Sequence, residues 1–289
     1  MTAARVPLFC DTALARRIER ADAKLIAASS EAARRRGASP AGFALPLAGG
    51  VASFADADSP FNKVAGLGFD GEPANAELDE VERRFGACGA AVQVELSNLA
   101  SPQVGAQLTA RGYRLVSFEN VLGFAINGPP ERVAPPGVEV RRIGDEDFES
   151  WLDVVTTGFA HPDDQGVPSH EDFPHEALEK AQRDFAAAGV RRYIALRDGI
   201  PAGGASFAAT DGVAQMAGAA TVPAHRRRGI QTALLAARLA DAAAQGCDIA
   251  VVTTQPGSVS QRNVQRSGFD LLYTRAILVK QAGNLTERC

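Results

Sequence analysis

Hydrophobic residues recur at helical spacing near the start of the chain. Leu14, Ile18, Ala21 and Leu25 lie three or four residues apart, which predicts a long helix over residues 11–36, ended by Gly37. Further along the chain, apolar runs and alternating apolar and polar positions favour strands. Two more sets of apolar residues recur with the helical period. The predicted strands cover residues 43–54, 63–69, 91–96 and 115–126, and the shorter helices cover residues 78–85 and 104–108.

The remainder of the chain shows the same two patterns, one typical of helices and one typical of strands. A helix through Trp151 and Val155 is predicted to follow a first strand, and a second helix covers residues 178–185. The dipeptides Asp198-Gly199 and Asp211-Gly212 predict tight hairpin turns. A long helix then ends at Gly246, and a short one ends before Phe269. The predicted strands cover residues 138–143, 193–196 and 205–207, the stretch ending at 222, residues 248–254, and the stretch ending near 280.

Residues 127–137 interrupt both patterns. They contain four prolines and two glycines, which continue neither a helix nor the interior of a sheet. We therefore predict two domains, residues 1–126 and residues 138–289, joined by this linker. In both halves a glycine and an aromatic residue, Gly112-Tyr113 and Gly268-Phe269, stand between a short helix and a strand. This indicates two copies of one α/β unit.

The composition narrows the class of protein. The 289 residues are 46% hydrophobic and 22% charged, as in globular proteins, and the net charge of −4 argues against nucleic acid as the main partner. Four cysteines occur without a Cys-x-x-Cys pair, so reduced thiols and no metal site are expected. No apolar run is long enough for a membrane span. We expect a cytoplasmic protein without membrane partners.

The most informative stretch is residues 222–235, where an apolar strand meets a helix through a basic turn. The turn holds Arg226, Arg227 and Arg228, followed by Gly229. Backbone N–H groups at a helix N-terminus lack intrahelical partners, and the helix dipole favours an anion there. With the arginines, these groups predict a site for a pyrophosphate.

Other phosphate-binding motifs fit this chain less well. A nucleoside triphosphate loop requires Gly-Lys-Ser/Thr, and this run is absent from the sequence. Residues 198–204 are rich in glycine but belong to a predicted hairpin, whereas a dinucleotide fingerprint lies between a strand and a helix. The basic turn is thus the best candidate for a phosphate site.

Residues 226–231, Arg-Arg-Arg-Gly-Ile-Gln, resemble the Q/R-x-x-G-x-G/A acetyl-CoA motif of the GNAT N-acetyltransferase superfamily. Residues 258–269 resemble its later motif, a short helix ending in Gly-Phe. The resemblance implies an α/β fold of two GNAT-like domains, each a mixed, mostly antiparallel twisted sheet flanked by helices. It also implies an acetyl-CoA-dependent N-acetyltransferase that acts on the primary amine of a small molecule or amino-acid-like acceptor.

The resemblance also implies where acetyl-CoA binds. Pantetheine pairs with a strand edge, the pyrophosphate lies on the amides of the turn, and an asparagine contacts the ligand from the later helix. Gln231 departs from the motif, but its side chain can point away. The implied cosubstrate-binding residues are Ala220, Thr221, Val222, Arg227, Arg228, Gly229, Ile230, Gln231, Thr232 and Asn263.

The corresponding turn of the N-terminal half, residues 69–77, is acidic. Asp70, Glu72 and Glu77 repel a pyrophosphate, and Pro73 removes a backbone donor. We therefore predict that the N-terminal half is a degenerate copy without a CoA site. Its expected role is to complete the substrate cleft or the core.

The catalytic residues stay unknown at this level. Gln215 stands where some members have a glutamate base, and Val264 stands where many have a tyrosine acid. The candidate replacements are His170, Glu171, Asp172 and Tyr273, and a relay through water or backbone is an alternative. Because the usual acid and base are missing, a non-catalytic acyl-CoA sensor or regulatory subunit remains a rival. The acceptor and the choice between monomer and homodimer are also open.

Overall fold

The computed structural model describes residues 7–128, 133–161, 166–167, 171 and 173–282. Its helices are α1 (Thr12–Arg35), α2 (Asn75–Ala87), α3 (Pro102–Ala110), α4 (Phe148–Phe159), α5 (His175–Ala187), α6 (Ile230–Ala244) and α7 (Val259–Arg266). Its strands are β1 (Phe43–Leu47), β2 (Gly50–Phe54), β3 (Lys63–Ala65), β4 (Val92–Ser97), β5 (Arg114–Ala125), β6 (Val138–Ile143), β7 (Arg191–Arg197), β8 (Ile200–Thr210), β9 (Val213–Thr221), β10 (Ile249–Thr254) and β11 (Asp270–Lys280).

Most predicted elements are present, and the differences have local causes. The strand predicted over residues 43–54 is a hairpin, because Ala48 and Gly49 both adopt positive φ between β1 and β2. The strand predicted over residues 63–69 ends at Ala65, since Gly66 and Gly68 also have positive φ. The hairpin turns predicted at residues 198–199 and 211–212 are confirmed, with positive φ at both residues of each turn.

The chain forms two compact units. Unit 1 takes its described residues from Met1–Asp11, Asn120–Pro168 and Gly189–Leu272. Unit 2 takes them from Thr12–Glu119, Ser169–Ala188 and Tyr273–Cys289. Each unit therefore draws on both halves of the sequence. The interdomain linker stays a prediction, since residues 129–132 lie outside the described part of the chain.

Unit 1 contains a sheet in the order β5-β10-β9-β8-β7-β6. Only β9 and β10 are parallel, and the other neighbours are antiparallel. A Cβ atom on Gly203 would meet Ile230 and Leu234 of α6, whereas one on Gly204 would meet Trp151 and Val155 of α4. Since consecutive residues of a strand face opposite sides, α6 and α4 cover the two faces of this sheet.

Within unit 2, the strands lie in the order β1-β2-β3-β4-β11. Its one parallel pair is β3 with β4. Phe85 of α2 packs edge-to-face against Phe43 and Phe54 in its core. On α1, Ala23 and Ile26 form a small apolar cluster with Val51 and Ala65.

The last predicted strand of each half pairs with the other half of the chain. Asn120–Ala125 of β5 pairs with β10 in unit 1, and Arg275–Lys280 of β11 pairs with β4 in unit 2. The sequence pattern predicted both strands but not their partners. No helix in the described residues combines the length and the apolar character that crossing a membrane requires.

Candidate functional site

Strands β9 and β10 of unit 1 pair over only part of their lengths. Their parallel register runs from Val213 opposite Ile249 to Gln215 opposite Val251. Beyond Gln215, β9 continues to Thr221, and none of the described residues pairs with it on this side. The backbone of β9 therefore presents an open edge that can bond an extended ligand.

The chain leaves β9 through a turn with unusual backbone geometry. A single 3₁₀ turn covers Pro223–His225, and Arg227 and Gly229 both adopt positive φ, at 60° and 76°. A Cβ atom on Gly229 would lie 2.5 Å from Cγ of Pro135. Glycine is thus required at position 229 both by the left-handed backbone and by the neighbouring proline ring.

The backbone N–H groups of this turn are available to a ligand. The first amide bonded at the start of α6 is that of Ala233, which donates to Gly229 O at 3.0 Å. In the described part of the chain, the six amides from Arg227 to Thr232 donate no hydrogen bond. Successive free donors at a helix N-terminus form an anion site.

The three arginines of the turn differ in environment. Arg226 is half-buried, and its guanidinium donates to the carbonyls of Thr221, at 3.4 Å, and of His161. Arg227 and Arg228 are exposed. Arg226 therefore ties the turn to backbone carbonyls, whereas the other two extend positive charge into solvent beside the free amides.

The structure brings the two predicted segments of the site together. Nε2 of Gln231, in the first turn of α6, donates to Oγ1 of Thr221, at the end of β9, at 2.8 Å. Ala220 and Thr221 are buried, and a Cβ atom on Gly158 of α4 would lie 2.6 Å from Cβ of Ala220. The amide of Val222 donates to Ala202 O at 3.1 Å. Strand β8 thus occupies one predicted pantetheine donor.

Asn263 lies at an exposed position on α7. This short helix begins at a well-formed cap, in which Oγ of Ser258 accepts from the amide of Gln261 at 3.1 Å. Within the described residues, no hydrogen bond joins the side chain of Asn263 to the turn or to β9. Its role toward a ligand therefore stays a prediction.

The residues considered for catalysis lie in different places in the structure. Gln215 is buried on β9, and Val264 packs against the apolar core beneath α6. In unit 2, the hydroxyl of Tyr273 donates to Oε1 of Glu19 at 2.7 Å, and Oε1 of Glu171 accepts from Gln93 at the same distance. Burial raises the pKa of Tyr273 well above its usual value. His170 and Asp172 lie outside the described residues.

The acidic turn of unit 2 has a different structure. Oε2 of Glu77 accepts from the amide of Ala74 at 2.7 Å, which places a carboxylate at the N-terminus of α2. Arg20 binds the carboxylate of Asp70 at 2.6 Å. The helix start that corresponds to the basic turn thus already carries its own anion.

Thr254 and Arg238 are two buried polar residues that the sequence pattern did not single out. Thr254 ends β10, beyond the last residue paired with β9, and its buried hydroxyl has no partner among the described residues. Arg238 stands among the apolar positions of α6. The sequence offered a signal for Arg238 alone, namely a charged residue at a core position of a predicted helix.

Part of the sequence matches a family model, and the fold is similar to that of solved structures. Residues 156–269 match the model of the acetyltransferase (GNAT) family. No curated protein matches the chain in sequence. Among the described residues, no group of three or more His, Cys, Asp or Glu side chains could hold a metal ion.

Three solved structures are similar over nearly the whole chain. A GCN5-related N-acetyltransferase from Kribbella flavida is 22% identical with a TM-score of 0.61, over 89% of this chain and 97% of that one. Another, from Sphaerobacter thermophilus, is 19% identical with a TM-score of 0.56, over 91% and 92%. A tandem GNAT protein from the clavulanic acid biosynthesis pathway is 15% identical with a TM-score of 0.58, over 96% and 98%. The predicted tandem α/β fold is confirmed.

Proposed function

We propose, from the match of residues 156–269 to the model of the acetyltransferase (GNAT) family, that the chain transfers the acetyl group of acetyl-CoA directly to a primary amine. The acceptor is a small molecule or an amino-acid-like compound. The observation that carries this proposal is the run of six free amides before Ala233, next to the open edge of β9.

Each part of this site suits one part of acetyl-CoA. The amides from Arg227 to Thr232 bind the pyrophosphate, and the guanidinium groups of Arg227 and Arg228 add charge-assisted hydrogen bonds. Ala220 and Thr221 offer backbone groups to pantetheine along the open edge. Val222 extends this edge, but its amide is engaged by Ala202 O. Asn263 contacts the ligand from α7. The bond between Gln231 and Thr221 keeps the long side chain of Gln231 engaged within the protein.

In the proposed reaction, the protein must orient acetyl-CoA and the amine, and one proton must leave the amine. Acetyl-CoA supplies the acetyl group as a thioester. Gln215 cannot accept a proton usefully, and Val264 cannot donate one, so neither serves as the acid or the base. The amine must arrive neutral. As its nitrogen bonds the acetyl carbon and the C–S bond breaks, water or a chain of water and backbone groups relays its proton to the departing thiolate of CoA. The residues of the turn act by fixing the cosubstrate in place.

Calorimetry and a thiol-release assay test the proposal together. We expect one acetyl-CoA to bind per chain, and free CoA thiol to appear with at least one member of a panel of amino acids, polyamines, aminoglycosides and peptides. Absence of acetyl-CoA binding at millimolar concentration would contradict the proposed site. Tandem mass spectrometry then locates the acetyl group on nitrogen or oxygen, since the two products have equal mass.

A second candidate is a non-catalytic acyl-CoA sensor or regulatory subunit. The observation that favours it is the pair Gln215 and Val264, which stand at the usual positions of the base and the acid. Under this alternative, acetyl-CoA binds with the predicted stoichiometry, but no amine in the panel releases thiol. The same two experiments therefore distinguish the candidates.

We also propose that unit 2 binds no CoA. The carboxylate of Glu77 already bonds the start of α2, and Asp70 lies in the preceding turn. A second anion at this helix start would meet repulsion from both. A stoichiometry of two acetyl-CoA molecules per chain would contradict this.

A further inference from the structure

Arg238 of α6 has an unusual environment within unit 1. Its side chain is 3% exposed, and its guanidinium bonds only backbone carbonyls in the described part of the chain. Nε donates to Leu234 O at 3.1 Å. Nη1 donates to Ser206 O at 3.0 Å and to Ala217 O at 3.4 Å. Buried arginines are ordinarily paired with carboxylates, so this side chain calls for an explanation.

The two strand carbonyls that Arg238 binds belong to one residue pair, which borders an irregularity in β9. Ser206 pairs with Ala217 and Gly204 pairs with Ala220, so one residue of β8 faces two residues of β9. The extra residue is accommodated at Gly218, whose φ is 59°. This is a β-bulge, which bends its strand and increases the local twist.

The bulge lies at the point where β9 becomes the open edge, so it sets the direction of that edge. It comes after Gln215, the last residue of β9 that pairs with β10, and directly before the buried residues Ala220 and Thr221. A change in the bulge therefore turns the open edge that follows it. The hydroxyl of Ser206 also donates to Ala217 O, at 3.2 Å, so two side chains hold the same carbonyl.

We propose that Arg238 is a positioning residue that holds this bulge, and thereby aims the Ala220–Thr221 edge at the pantetheine arm of acetyl-CoA. The inference rests on the proposed function, because it takes acetyl-CoA as the ligand of the edge. An apolar side chain would fill the same space on α6 without burying a charge. It would leave the carbonyls of Ser206 and Ala217 without this donor.

The test compares a ligand that reaches the edge with one that does not. 3′-Phosphoadenosine 5′-diphosphate is the part of CoA without pantetheine, and its pyrophosphate reaches only the phosphate-binding turn. In Arg238→Met we expect acetyl-CoA to bind about tenfold more weakly, as for the loss of one or two hydrogen bonds. The fragment should bind with wild-type affinity. Amide exchange over residues 217–221 should become faster.

Two further variants separate positioning from general stability. Leu239→Ala removes a buried side chain from the same helix and keeps the hydrogen bonds of Arg238, so it should lower the Tm but keep both affinities. Arg238→Lys keeps one donor and the charge, and should recover part of the lost affinity. It also carries the test if Arg238→Met does not fold.

Three results would overturn the inference. These are unchanged acetyl-CoA binding and exchange in Arg238→Met, an equal loss for both ligands, or a loss of the same kind in Leu239→Ala. If the wild-type chain binds neither ligand, the proposed function fails, and the exchange over residues 217–221 alone decides whether Arg238 holds the bulge.

Discussion

Nε2 of Gln231 donates to Oγ1 of Thr221 at 2.8 Å, which joins the first turn of α6 to the last residue of β9. Gln231 occupies the position where the acetyl-CoA motif usually has glycine or alanine. Because its side-chain amide is engaged with Thr221, the departure from the motif leaves the backbone donors of the turn unchanged. The bond links the segment proposed for the pyrophosphate to the segment proposed for pantetheine.

Gln231→Ala should reduce stability slightly and keep the ligand. Loss of one partly buried hydrogen bond lowers the free energy of unfolding by about 0.5–1.5 kcal/mol. The backbone N–H at position 231 remains, so the Kd for acetyl-CoA should change less than about threefold. Denaturant titration and calorimetry measure the two quantities. A tenfold loss of affinity would show that the side chain itself contributes to binding.

Arg227→Ala and Arg228→Ala should each weaken acetyl-CoA binding about five- to tenfold, because each removes a charge-assisted bond to a phosphate oxygen. The loss should shrink at high salt, since exposed charges are screened. Arg114→Ala, at an exposed position of β5, is the matched control and should leave the affinity unchanged. Calorimetry at low and high salt provides the measurement. Equal affinities in all three variants would contradict the assignment of the two arginines.

Gly229→Asp should abolish acetyl-CoA binding, with a loss of about 100-fold or more. The substitution adds a negative charge beside the free amides and a Cβ atom 2.5 Å from Pro135 Cγ. Gly246→Asp is the control, because Gly246 has the same φ of 76° and no atom of the described residues lies within 4 Å of its Cβ position. Both variants carry the strain of a left-handed aspartate, but only the first should lose the ligand. Retained binding in Gly229→Asp would place the pyrophosphate elsewhere.

Glu119→Gln should stabilise unit 2 in alkaline solution and have no effect in acid. Burial, and then the charge of Glu95, raises the pKa of Glu119 from 4.5 to about 7, although Lys63 and Arg275 oppose this shift. A carboxyl group with a raised pKa destabilises the fold as pH rises from about 4.5 through 7. The variant should therefore gain about 1–3 kcal/mol at pH 8 and nothing at pH 4.

Thermal unfolding of wild type and Glu119→Gln from pH 4 to pH 8 measures this difference. Glu139→Gln, at an exposed position of β6, removes a similar charge without burial and serves as the control. A gain in Tm that stays constant over the whole pH range would contradict the assigned cause.

The sequence by itself determined the local structure and the chemistry of the turn. The spacing of Leu14, Ile18 and Leu25 depends only on the helical period, and α1 follows it. The turns at Asp198-Gly199 and Asp211-Gly212 depend on residues that tolerate positive φ. The arginines and Gly229 between a strand and a helix indicated an anion site before any tertiary contact was known. All of these signals lie within a few residues of one another.

Only the tertiary structure decided which strands pair and which buried polar groups meet. The apolar pattern of β11 is compatible with many neighbours, and its pairing with β4 joins residues far apart in the sequence. The same holds for Arg238, whose partners Ser206 and Ala217 lie on two other elements. Hydrophobic periodicity encodes which face of an element is buried. It does not encode what that face contacts, because this depends on packing distant segments together.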